Sequence, residues 1–150
     1  TSPLTGAPLN AIGGDQAGGG MASTAASGTT ANPSATPPFD ADNLLVRYGQ
    51  DREMAGIAVA TFLADGPEDL RALDEALART DGALIVRRAH TLAGSAGAVS
   101  GLALAARARQ VEDLARDGEL ALARQQKPSL EAAARQLEQA LQDFLEAAPV

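Results

Sequence analysis

The sequence predicts an all-α fold: an antiparallel up-down four-helix bundle with a short additional N-terminal helix, preceded by a disordered linker. Three observations carry that prediction. Hydrophobic residues make up 45% of the 150 positions while aromatic residues make up only 3%, with no Trp, so packing runs through Ala and Leu, both strong helix formers. From Phe39 onward the apolar residues recur at spacings of three and four. No segment alternates with the period of two that a half-buried strand requires.

The elements follow in order. Residues 1–38 are almost wholly Gly, Ala, Ser, Thr and Pro, with Asp15 the single formal charge, and such a segment cannot bury enough surface to offset the entropy of ordering it. A flexible tether of that length spans about 35 Å. Gly18-Gly19-Gly20 is no phosphate loop, because no Lys-Ser or Lys-Thr follows it. Residues 39–150 form the folded domain. Asp42 is suited to cap a short helix through Tyr48, ended by Gly49, and Met54, Ile57, Ala58 and Phe62 mark a helix from about Arg52 to Ala64. Asp65-Gly66-Pro67 reads as a break, with Pro67 at a first helical position and Glu68 and Asp69 at the positive end of the next helix dipole. Leu70, Leu73 and Leu77 give that helix its buried stripe, and Asp81-Gly82 opens another that runs to about Val99. Ser100-Gly101 is so short that the helix from Leu102 to Arg116 must return antiparallel, with Leu104, Ala108, Val111 and Ala115 inward and Gly118 at its end. Leu130, Ala134, Leu137, Leu141 and Phe144 mark the last helix, with Pro128-Ser129 as a start or a kink, and Leu120–Lys127 fits either a separate helix or the first turns of this one.

Composition excludes several functions. With no cysteine there is no disulfide framework, thiolate metal site or thiol nucleophile. A net charge of −7 argues against general nucleic-acid binding, which needs a basic surface, and no run of about 18 apolar residues is present to enter a membrane. The chain starts at Thr1 without a basic-then-apolar leader, and we expect it to be a piece of a longer protein.

One stretch stands apart. Arg87-Arg88-Ala89-His90-Thr91-Leu92-Ala93-Gly94-Ser95-Ala96-Gly97 carries the sole histidine. Ile85, Ala89, Leu92, Ala96 and Val99 form one apolar stripe, and His90 lies about 100° round from it, on the rim of the buried face. Arg87, Ala93, Gly94 and Gly97 share its side of the helix. Glycine in a helix interior costs roughly 0.5–1 kcal/mol against alanine, so two glycines beside the histidine suggest close approach of another body.

A metal site is not expected, because no carboxylate lies three or four residues from His90. Ser95 is about 140° round the helix from it, which rules out a Ser–His pair. The imidazole itself remains. At its ordinary pKa of about 6.5 a histidine offers a free ring nitrogen to phosphorus at neutral pH, given an oriented ring, a cation near the phosphoryl oxygens and room for the donor. Arg87 and Arg88 supply charge, and Gly94 and Gly97 supply room. The return at Ser100-Gly101 sets position 90 against roughly 110–112, so Glu112 is the candidate to bond one ring N–H. From Gly82 to Val111 there are four arginines (Arg87, Arg88, Arg107, Arg109) and no acid, a local patch that steers an acidic partner. The same residues also read as a solvated histidine, a solvated arginine face and a pair of packing glycines. Pattern alone leaves both readings open.

Ala89-His90-Thr91-Leu92-Ala93-Gly94-Ser95-Ala96-Gly97, with Val99, Leu104 and the Val111-Glu112 pair, resembles the signature of histidine-containing phosphotransfer (HPt) domains, four-helix bundles of bacterial hybrid sensor kinases and phosphorelays. The likeness runs from about Leu44 to Phe144. It implies that His90 is the phosphoryl acceptor, that Gly94 lets a receiver domain dock, with Arg88, Ala93, Gly97 and Arg109 around it, and that Glu112 orients the imidazole. The family usually has lysine three residues after the histidine. Here that position is Ala93, which leaves Arg87 as the candidate phosphoryl charge partner. The implied partners are the receiver domain of a parent sensor kinase and a downstream response regulator. The chain itself is expected to bind no cofactor, Mg²⁺ being expected on the receiver, and to lie in the cytoplasm as the C-terminal part of a membrane-bound kinase. A non-catalytic module that docks a receiver or kinase without carrying phosphate is the other reading.

Overall fold

A computed structural model of the chain describes residues 36–147, so the expected linker lies almost entirely outside the described residues. Six helices are present among them: α1 (Ala41–Arg47), α2 (Arg52–Arg79), α3 (Gly82–Ala98), α4 (Leu102–Arg116), α5 (Leu120–Gln125) and α6 (Lys127–Glu146). The four long ones, α2, α3, α4 and α6, pack in a ring in which each touches its two neighbours. The expected all-helical bundle with a short leading helix is what the chain forms.

Aspartate starts three of the helices. Asp40, Asp51 and Asp81 accept hydrogen bonds from the amides of Asn43, Met54 and Leu84 at 2.9, 3.0 and 3.2 Å, each answering a donor that the first turn leaves open. The cap of α1 is therefore Asp40, two residues before the expected Asp42, which sits in the first turn instead. Leu120–Gln125 is a separate short helix, and α6 starts at Lys127 with Pro128 in its first turn.

The larger correction is α2. Asp65-Gly66-Pro67 does not break the chain; one helix of 28 residues runs through it. Pro67 has no N–H, so the Leu63 carbonyl loses its helical partner, but the tertiary packing carries the helix across. Gly66 is buried, and a Cβ on it would stand 2.8 Å from the Phe62 ring. The glycine is thus a berth for Phe62 inside the helix. Continuity also resets the phase of the first half. The inward stripe is Ala55, Val59, Phe62 and Gly66, in line with Leu73 and Leu77, whereas Met54 and Ile57, expected inward, are 49% and 56% exposed. The stripes expected on α3, α4 and α6 are buried as read.

Several ties fix the ends of the bundle. The α3–α4 connection is Val99-Ser100-Gly101, with Ser100 at φ +57°. Ser100 is buried; its hydroxyl donates to Asn43 Oδ1 at 2.7 Å and its carbonyl accepts from the Asp40 amide at 3.1 Å, so α1 is held on the turn. A Cβ at Gly101 would meet Leu137 at 2.5 Å and the Ala96 carbonyl at 3.2 Å. At the other end of α6, Arg52 donates to the Phe144 carbonyl at 2.7 Å and lies 4.1 Å over its ring, while Phe39 meets the same ring edge-on at 5.8 Å.

Between α2 and α6, Asp74 lies beside Glu131 and Lys127, and its Oδ1 is buried without a hydrogen-bond partner among the described residues. Burial, reinforced by the Glu131 carboxylate, pushes the Asp74 pKa up to about 6, against the opposing pull of Lys127. A carboxyl group whose folded pKa is raised contributes most below its unfolded pKa, and that contribution is lost as pH rises through the folded value. Asp74→Asn should therefore raise the melting temperature over wild type by an increment that grows from pH 4 to pH 7; thermal melts across that range check it, and a constant or shrinking increment contradicts it. Gly66→Ala should destabilise the bundle by about 1–3 kcal/mol through overpacking against Phe62, although alanine is the better helix former. Urea unfolding measures the sign.

Candidate functional site

The site forms where α3 and α4 lie side by side. The apolar stripe of α3 is fully buried, which leaves the next residue, His90, on the outer surface with its side chain 78% exposed. Across from it, Val111 and Ala115 anchor α4 in the core. Glu112, next to Val111, is thereby placed at the α3–α4 seam, its side chain only 9% exposed. His90 Nδ1 lies 3.2 Å from Glu112 Oε2, the contact expected from the register of the short return. Beside a carboxylate, Nδ1 is the donor, and the outward Nε2 keeps its lone pair.

A third residue completes the arrangement, and it was absent from the sequence-based set. Arg116 Nη2 donates to the same Glu112 Oε2 at 2.8 Å, with Nη1 3.9 Å from Asp113. A nearly buried carboxylate is costly unless its charge is answered. Here it is answered by a guanidinium from its own helix and an imidazole from the neighbour. The i,i+4 spacing of Glu112 and Arg116 is a helix ion-pair signal that would have pointed to it.

The remaining expected residues divide. Arg87, Arg88 and Arg109 are exposed, and none has a carboxylate within ion-pair distance among the described residues. Gly94 is exposed, and a Cβ there would meet nothing within 4 Å among the described residues, so no packing among them requires that glycine. Gly97 differs: a Cβ there would stand 3.8 Å from Arg109 Nη2. Ala93, expected on the docking face, is instead 3% exposed and belongs to the core. Three residues on from His90, its Cα is turned about 300°, toward the stripe that Ala89 and Ala96 bury. Ser95 donates to Asp69 Oδ2 on α2 at 3.1 Å, away from the histidine.

His90 stands on open surface. A cleft of about 490 Å³ lies between α1, α2 and α3, against Tyr48, Phe62 and Ser95, and His90 does not line it. A small substrate would need such a concavity around the reactive atom; an exposed imidazole suits a donor carried by another macromolecule.

Residues 58–148 match the family model for the Hpt domain. No curated protein sequence matches the chain. Among solved structures, the fold is similar to histidine-containing phosphotransfer protein B (HptB) from Pseudomonas aeruginosa PAO1, with a TM-score of 0.67 and 24% identity over 75% of this chain and 99% of that one. It is also similar to the HPT domain of a sensor hybrid histidine kinase from Shewanella, with a TM-score of 0.65 and 16% identity over 75% of this chain and 97% of the other. With more than half of its length matched by the family model on a helical fold shared with both structures, the chain belongs to the Hpt domain family, whose chemistry is histidine phosphotransfer in phosphorelays.

Proposed function

We propose that His90 accepts a phosphoryl group from an aspartyl phosphate on the receiver domain of a parent sensor kinase and passes it to an aspartate on a downstream response regulator. The observation that carries this reading is the exposed ring with Nδ1 on Glu112 and Nε2 free. In the first half-reaction the Nε2 lone pair forms the N–P bond as the P–O bond to the aspartyl carboxylate breaks, and the electron pair leaves on that carboxylate. No proton need move, because Glu112 retains Nδ1–H and offsets the positive charge that the ring acquires. The second half-reaction is the reverse, with the acceptor carboxylate as nucleophile. Glu112 and Arg116 are positioning residues. Arg87, one turn before His90, is the group we assign to the phosphoryl oxygens. The Mg²⁺ required for transfer belongs to the receiver's acidic pocket, and this chain contributes no ligand to it. We further propose that the chain works in the cytoplasm as the C-terminal module of a membrane-bound hybrid kinase; among its described residues no helix is long and apolar enough to cross a membrane.

A second reading, a docking module that binds a receiver or kinase without carrying phosphate, is favoured by one observation: Ala93, buried where the family carries lysine. It predicts binding indifferent to His90→Ala and no label transfer.

Mixed with a phosphorylated receiver, the wild-type chain should acquire acid-labile, base-stable label that His90→Gln abolishes; label persisting in the variant would remove His90 from the role. Arg116→Ala should slow transfer by about tenfold and mix the two His90 tautomers in ¹⁵N NMR spectra, with Arg116→Lys intermediate. Arg87→Ala should slow transfer by a similar factor of about ten while leaving those tautomers unchanged.

A further inference from the structure

Arg109 holds a position that the chemistry at His90 does not explain. On α4 the acids within one helical turn of Arg109 are Glu112, three residues on, and Asp113, four residues on, the second an i,i+4 pair that helices form readily. Arg109 does not form it. Asp113 instead approaches Arg116, and the Arg109 guanidinium reaches toward α3, where its Nη2 would stand 3.8 Å from a Cβ placed on Gly97. Glu112, the other acid close by in sequence, is already bonded to His90 and Arg116. An exposed guanidinium is therefore placed beside Gly97 with no carboxylate within ion-pair distance among the described residues.

That spot is in line with the reactive histidine. Gly97 is seven residues after His90, which returns it to within about 20° of the same helical face and sets it about 10 Å further along α3. Gly94, with empty space where a Cβ would be, lies between them. The face thus runs from the imidazole, across a bare stretch of backbone, to a fixed cation, and no acid interrupts it from Gly82 to Val111.

We infer that Arg109 is a second recognition point for the phosphodonor and selects receiver domains with a carboxylate about 10 Å from the phosphorylated aspartate. This rests on the phosphotransfer reading above. A receiver element laid on Gly94 presents its aspartyl phosphate to His90 at one end and its acidic side chain to Arg109 at the other. A cation on the rim of such an interface acts on encounter and register more than on the chemical step.

The test uses two classes of phosphodonor on the whole chain. Phosphoramidate phosphorylates imidazoles directly and needs no docking surface; a panel of receiver domains from the same genome, each charged with acetyl phosphate, does need one. With the receiver that reacts fastest with wild type, Arg109→Glu should raise KM by about five- to tenfold, leave kcat within about twofold, and flatten the salt dependence of kcat/KM. Arg109→Lys should retain most of the wild-type KM, and phosphoramidate should label all three proteins at His90 at equal rates. Replacing the facing receiver carboxylate by arginine should restore the KM of Arg109→Glu. An unchanged KM and salt slope in Arg109→Glu overturns the anchor while the phosphotransfer reading stands; wild type labelled by phosphoramidate but by no receiver removes both, because receiver-to-histidine transfer is the reading on which the anchor rests. Wild type that takes label from neither donor removes both.

Discussion

The close antiparallel return of α3 on α4 is the constraint on which the site depends. Its turn is so tight that a Cβ at Gly101 would strike Leu137 and the Ala96 carbonyl, and Ser100 satisfies its own buried polar atoms by holding α1. Once the turn is set, position 90 faces position 112, and the buried stripes of the two helices leave Glu112 at the seam. A carboxylate there must be answered electrostatically. The answer, Arg116 on one side and His90 on the other, is what orients the imidazole. Ring orientation is thus a by-product of stabilising a nearly buried charge.

The same packing makes the outer face chemically simple. The bulk of α3 points inward, so what α3 leaves outside around the histidine is mainly Arg87, Arg88, Thr91 and Gly94. Gly94 and Gly97, similar on a helical wheel, differ in three dimensions. Among the described residues one has nothing near its Cβ position, and the other lies beside a guanidinium from the neighbouring helix. A convex, bare, cationic surface around an exposed nucleophile is poorly suited to hold a small molecule and well suited to meet a protein that carries its own phosphoryl group and metal ion.

Far from that face, the bundle tolerates features that local rules discourage. Pro67 interrupts the hydrogen-bond ladder of α2, and Gly66 sits at a core position. Both persist because Phe62 folds onto the glycine and the rest of the inward stripe continues in phase on either side. The carboxyl pair of Asp74 and Glu131 leaves a pH-dependent contact between α2 and α6.

The sequence by itself determined the helical class, the antiparallel return, the buried stripes of α3, α4 and α6, and the contact between His90 and Glu112. All of these follow from periodicity and the length of one turn, which are properties of the local chain. Tertiary structure alone decided the rest. The continuity of α2 across Gly66-Pro67 and the resulting exposure of Met54 and Ile57 depend on packing that outweighs a local breaker signal. Ala93 lies inward because the rotation of α3 is set by all of its core contacts together. Arg109 lies beside Gly97 because long side chains choose among several partners, and that choice is made only when two helices lie side by side.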